Sequence, residues 1–210
     1  MDHHPLVVLD FDGTLADSFG WFRSVLNGVA DRYRFRRVEA HEVEALRGQG
    51  AREIVRHLGI PRWKLPLIAR HMHRLAARDA AGLALFPGIE AMLAALAEAG
   101  VPLAVLSSNR EDTVRRVLGP GNADRIGHYA CGASVFGKAR RLRRLLARTG
   151  TAPERVLCVG DEIRDLEAAR SVGCAFGAVV WGYTRAEALA AQAPDHLFAE
   201  PAEIAAAVLA

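Results

Sequence analysis

The chain predicts an α/β fold, a parallel sheet with an all-helical unit inserted near its start, and three observations carry that prediction. Short runs that are apolar throughout alternate with helical patterns over most of the 210 residues, as strands buried on both faces and joined by crossover helices require. Glycines 100, 119, 150 and 173 fall just past the ends of helical patterns, where a left-handed cap is favoured. Residues 16 to about 85 break the alternation and hold helical patterns only.

In chain order, strands are predicted over 5–10, 102–106, 155–159 and 175–180, with weaker ones at 128–132 and 196–198. Helical patterns between them cover 88–99, 110–118, 137–149, 162–172, 184–191 and 201–209. Inside the break, helices are predicted near 18–33, 41–46, 50–58 and 62–79. The turn-like pieces Arg47-Gly48-Gln49-Gly50 and Gly59-Ile60-Pro61 separate them, and the chain returns at Phe86-Pro87-Gly88. This divides the molecule into a core, 1–15 with 86–210, and a helical cap, 16–85. An insertion directly after the first strand sits above the carboxyl edge of the sheet, where open sheets of this kind bind ligands.

Composition narrows the function classes. Half of the residues are hydrophobic, enough for a sizeable core and against disorder. The net charge is only +3, from 25 Arg and two Lys against 24 acids. No stripe of basic and aromatic residues accompanies it, so nucleic acid is not an expected partner. The densest basic run, Lys138 to Arg148, reads as a solvated helix face. Cys131, Cys158 and Cys174 show no metal spacing, and Cys158 lies in an apolar strand pattern; a reducing compartment is expected. No signal segment is visible, and no run approaches the ~20 apolar residues of a membrane span. A cytoplasmic protein without a membrane partner is the expectation. His3 and His4 read as a polar terminus.

The first apolar run, Leu6-Val7-Val8-Leu9, stops at Asp10-Phe11-Asp12-Gly13-Thr14. Residues i and i+2 of an extended segment point the same way, so Asp10 and Asp12 share one small volume. Gly13 permits a sharp turn and close approach to a ligand. Two like charges held this near raise each other's proton affinity unless a cation neutralises them. The arrangement suggests a Mg²⁺ site, an acid/base pair, or both. Other strand ends also deliver polar groups: Ser107-Ser108-Asn109 after 103–106, and Gly160-Asp161-Glu162 with Asp165 after 156–159. Between them, Phe136-Gly137-Lys138 opens the basic helix.

On these residues the chain resembles the haloacid dehalogenase superfamily, in the C1-capped phosphatase branch that includes phosphoglycolate phosphatases. The matching stretches are Asp10 through Ser18, Ser107, Lys138, and Gly160-Asp161-Glu162-Ile163-Arg164-Asp165, in family order. The chain uses Arg almost wherever it needs positive charge, yet Lys stands where the family places a phosphate-contacting amine. A compact ammonium and a planar guanidinium differ in geometry.

The resemblance implies a Rossmann-like core with a C1 cap, and phosphoryl transfer through an aspartyl-phosphate. Asp10 would be the nucleophile and Asp12 the general acid and base. Mg²⁺ would be held by the Asp10 carboxylate, the Asp12 main-chain carbonyl and Asp161, with Glu162 and Asp165 as outer partners. Ser107 and Lys138 would contact the phosphoryl oxygens, with Gly13, Thr14, Ser108 and Asn109 as further substrate-binding positions. Asp12 separates the chain from dehalogenases and phosphonatases of the superfamily, which lack that acid; the cap's single lysine, Lys64, has an ordinary setting.

Specificity is expected from the cap. Arg47 is a candidate for gripping a substrate carboxylate, as phosphoglycolate would present. The basic stretch Arg70-His71-Met72-His73-Arg74 with Arg78 is a candidate for lining the cavity, though adjacent helix positions keep His71 and His73 from forming a metal pair. Trp181 and Gly182 read as packing and a turn. The expected substrate is a small-molecule phosphate ester handled by a monomer or homodimer. A sugar phosphomutase shares all four motifs. A phosphoacceptor module lacks Asp12 and a lid, and a silent scaffold would not need the intact acids.

Overall fold

The computed structural model describes residues 6–132 and 137–210; His3, His4 and Phe136 lie outside them. Its centre is β1 (Leu6–Leu9), whose four residues are all buried. On one side lie β2 (Leu103–Leu106) and then β3 (His128–Ala130). On the other lie β4 (Val156–Gly160), β5 (Ala175–Val179) and β6 (His196–Phe198), giving the order β3-β2-β1-β4-β5-β6. Every pairing is parallel, with Val8 opposite Ala104 on one flank and Cys158 on the other. The chain builds β2 and β3 to one side of β1, then crosses to β4 on the other. β1 is therefore the switch point, and a ligand crevice opens beyond its carboxyl end.

Alternation along the strands explains both covering layers. Val7, Leu9, Leu103, Val105, Leu157 and Val159 face one way and pack with α5 (Ile89–Glu98), α6 (Glu111–Arg125) and α10 (Pro201–Leu209). Leu6, Val8, Ala104, Leu106, Val156 and Cys158 face the other way. They meet α7 (Lys138–Thr149), α8 (Ile163–Arg170) and α9 (Ala186–Ala190). Cys158 and Cys174 are buried free thiols and Cys131 is half-buried.

The strands agree with the sequence reading to within two residues, but some helices differ. The helix expected to end at 118 continues to Arg125. Gly119, with φ 73° and ψ 163°, leaves the helix as expected of a stop. Pro120 then restarts it, because proline's fixed φ and missing N–H suit the first position of a new helical turn. The pattern 62–79 divides likewise into a 3₁₀ turn, Arg62–Lys64, and α4 (Leu65–Asp79), with Pro66 in the first turn.

The segment after β1 forms α1 (Phe19–Tyr33), α2 (Val43–Leu46), α3 (Ala51–His57) and α4. It leaves and rejoins the rest through two adjacent crossings. Ala16 bridges Leu85 in antiparallel fashion, Asp17 N–H bonds Ala84 O at 2.9 Å, and Phe86 N–H bonds Leu15 O at 3.0 Å.

Candidate active site

Past Leu9, the Asp10 N–H still bonds Val159 O at 2.8 Å. Phe11 then turns into the core, fully buried, so its neighbours Asp10 and Asp12 reach into the crevice. Lys138, the first residue of α7, sets its Nζ 2.7 Å from Asp10 Oδ1 and 2.5 Å from Asp165 Oδ1. All three side chains are buried. Burial pushes the Asp10 carboxyl up to about 7, against the pull of Lys138. Burial also works against the Lys138 charge, but Asp10 and Asp165 overcome it and hold the ammonium above its ordinary range.

Asp12 is held at both oxygens. The Ser18 hydroxyl donates to Oδ1 at 3.0 Å and the Asn109 amide to Oδ2 at 2.7 Å. Loss of solvation raises its pKa, opposed by the Ser18 bond. From the end of β2, the buried Ser107 hydroxyl accepts the Asn109 N–H at 3.0 Å. The turn there thus orders both the serine and the amide that holds Asp12.

At the end of β4, Asp161 is fully buried, its Oδ1 accepting from the Thr14 hydroxyl at 2.8 Å and its Oδ2 from the Tyr183 N–H at 2.7 Å. Burial drives its proton affinity well above the usual carboxylate range, and Glu162, Asp10 and Asp165 add to this. Two glycines make room for it. A Cβ on Gly13, where φ is +77°, would fall 2.2 Å from Asp161 Oδ2, and one on Gly182 would fall 2.3 Å from Asp161 Cβ. Glu162 and Asp165 begin α8 as a reciprocal cap, the Glu162 N–H donating to Asp165 Oδ2 at 3.3 Å.

Asp10, Glu162 and Asp165 each present an oxygen within 4.8 Å of the others. This oxygen-only donor set suits a hard divalent cation, and burial raises the proton affinities of Asp10 and Asp161, which an added cation would offset. The residues therefore fit Mg²⁺. Glu162 and Asp165, expected as outer partners, are the acids that converge on Asp10. Both Asp161 oxygens accept hydrogen bonds from the protein.

Two of the side chains expected to bind substrate make bonds within the protein. Thr14 is fully buried and spends its hydroxyl on Asp161, so it positions an acid instead of meeting a ligand. Arg47 donates from Nε to Tyr183 O and from Nη2 to Gly182 O, both at 2.9 Å, while Nη1 pairs with Glu44. Its guanidinium lies 5.0 Å over the Phe19 ring. These bonds tie the loop after α2 to the loop after β5.

Sequence reasoning passed over Ser18, Tyr183 and Arg164. The Tyr183 hydroxyl lies 3.0 Å from Ser18 Oγ, and its ring meets those of Phe19 and Phe22 at 5.0 and 5.6 Å. Burial, then Asp12, raises the Tyr183 pKa well above its ordinary value. The signals were Ser18 at the end of the first motif and the run Trp181-Gly182-Tyr183. Trp181 does pack, donating its indole N–H to Thr14 O at 3.1 Å. Arg164 pairs with Glu162 beside Asp10 and Asp12. A cavity of ≈ 320 Å³ runs from Asp12, Ser108 and Asn109 up between the helices of residues 19–76, with His73 on its wall and His71 outside it.

A crevice at the switch point, with acids and a serine delivered by strand ends and a lysine by the start of α7, defines a class of hydrolase. The chain belongs to the haloacid dehalogenase-like hydrolases, whose family model matches residues 7–179. It is 34% identical over 203 residues to a phosphoglycolate phosphatase of Synechococcus elongatus, covering 96% of each chain. It is also 34% identical over 190 residues to the tyrosine-protein kinase PtkA of Mycobacterium tuberculosis, covering 87% of this chain and 64% of that one. Among solved structures it resembles CbbY from Rhodobacter sphaeroides in complex with phosphate, at 25% identity and a TM-score of 0.73, covering 97% and 96% of the two chains. Among the described residues, no helix is long and apolar enough to cross a membrane.

Proposed function

We propose that this hydrolase is a phosphatase that cleaves small-molecule phosphomonoesters through an aspartyl-phosphate, with phosphoglycolate the first ester to test given the Synechococcus relative. One observation carries the reading: Asp10 is held by Lys138 at 2.7 Å, while Asp12, two residues on, is held by Ser18 and Asn109 on the same edge. An Asp10 oxygen attacks phosphorus, the bond from phosphorus to the ester oxygen breaks, and the departing alkoxide takes a proton from Asp12. The raised proton affinity of Asp12 suits it to that role. Water then attacks phosphorus and gives a proton to Asp12, the bond to Asp10 breaks, and both acids return to their starting forms.

Lys138 and the Ser107 hydroxyl would stabilise the phosphoryl oxygens, each worth on the order of 10²–10³ in rate. Asp10, the Asp12 carbonyl and an acid from the 161–165 turn would hold Mg²⁺, which supplies charge neutralisation between a carboxylate and a phosphate dianion. In this reading residues 16–85 act as a lid over the core of 1–15 and 86–210, keeping bulk water from the site while Asp10 attacks phosphorus. The test is Mg²⁺-dependent phosphate release from a panel of phosphomonoesters, with Asp10→Asn as control. Release by the parent and none by the variant is the expected result. Equal release by both would remove Asp10 from the mechanism.

A further inference from the structure

The cap helices bury unusually little of themselves. α1 buries only Val29 and Ala30, α4 only Ala76, and α3 nothing. Yet α1 and α4 carry apolar faces that a packed bundle would close against each other. Phe22, Leu26, Ile54, Ile68 and Met72 are half-buried, and they line the ≈ 320 Å³ cavity that descends to Asp12 and Asn109. A glycolate group would fill only a small part of that space and would present a carboxylate to hydrocarbon walls.

Two of the cations along the cavity, Arg47 and Arg164, are bonded within the protein. Arg47 holds the Gly182 and Tyr183 carbonyls. Arg164 pairs with Glu162, and the exposed Arg23 lies over the Phe19 ring at 5.9 Å. Burial and then Arg110 hold the His73 imidazole below its ordinary pKa. Most of the wall is hydrocarbon, where an apolar group gains by leaving water.

We infer that the cavity takes the leaving group of the substrate, and that this group is apolar: an alkyl or aryl chain carried on a phosphomonoester. The inference rests on the phosphatase reading and names its substrate class. The test is kcat/KM along n-alkyl phosphates from ethyl to hexyl, with phosphoglycolate and acetyl phosphate alongside. A rise of about three- to fourfold per methylene is expected, with hexyl phosphate ahead of phosphoglycolate. Met72→Gln and, separately, Leu26→Gln should lower the hexyl-to-phosphoglycolate ratio about tenfold through KM. A flat or falling series with phosphoglycolate preferred would overturn the apolar assignment and leave the phosphatase reading standing. No hydrolysis of any of these phosphates, acetyl phosphate included, would overturn both.

Discussion

Removing the Lys138 charge tests the electrostatic logic of the site. Its ammonium is within 2.7 Å of Asp10 and 2.5 Å of Asp165, and the three side chains are 5–8% exposed. Lys138→Met keeps most of the volume but leaves two carboxylates in a poorly solvated crevice. Taking one partner from a buried pair costs about 3–5 kcal/mol, or a fall in Tm of roughly 6–20 °C for a chain of this size. The loss must depend on pH. Asp10 already holds a proton up to about pH 7 in the folded protein, and without Lys138 it holds one still higher. At pH 5.5 the variant neutralises that charge by protonation and loses less; at pH 8.5 it cannot do so fully and loses more. Urea or thermal unfolding of both proteins at the two pH values, without divalent metal, measures this. A variant as stable as the parent at pH 8.5, or a penalty larger at pH 5.5, would refute the reasoning.

Other consequences follow from the same geometry. Without metal, the raised folded-state pKa of Asp10 means the native chain holds a proton that the unfolded chain has lost between about pH 4 and 7. Stability therefore falls as pH rises through that window; Lys138 is protonated throughout it and leaves the sign unchanged. Mg²⁺ should raise Tm more at pH 8 than at pH 5, and an equal or reversed effect would contradict the metal assignment. Gly13→Ala should cost about 2 kcal/mol or more, because its Cβ would meet Asp161 Oδ2 at 2.2 Å and φ is +77°; urea unfolding checks it. Arg47→Ala removes two bonds to the core and should lower stability by about 1–3 kcal/mol and speed proteolysis near residues 16 and 85. An unchanged digestion pattern would argue against Arg47 holding the two loops together.

Much of this was legible in residue order because strand ends are simple objects. Buried strands leave no choice but apolar runs, and where such a run ends in Asp10-Phe11-Asp12 the alternation of side chains turns both acids to the same side. The same logic located Ser107 and Asp161. What could not be read were contacts between segments distant in sequence. Thr14 looks like one more polar group in a ligand-facing turn until Asp161, 147 residues away, takes its hydroxyl. Arg47 looks free beside two glycines until the loop after β5 supplies its acceptors. Gly182 reads as an ordinary turn, and only the packed structure reveals that a methyl group there would strike Asp161. The Gly119–Pro120 kink was missed for a local reason: a helix stop and a helix restart fall on adjacent residues.

The central claim is that Asp10 carries the phosphoryl group. Acid quenching during turnover of acetyl phosphate, followed by peptide mass analysis, tests it most directly. One phosphoryl adduct is expected on the peptide containing Asp10, formed before phosphate appears and absent from Asp10→Asn. Turnover with no adduct, or with an adduct on another residue, would contradict it.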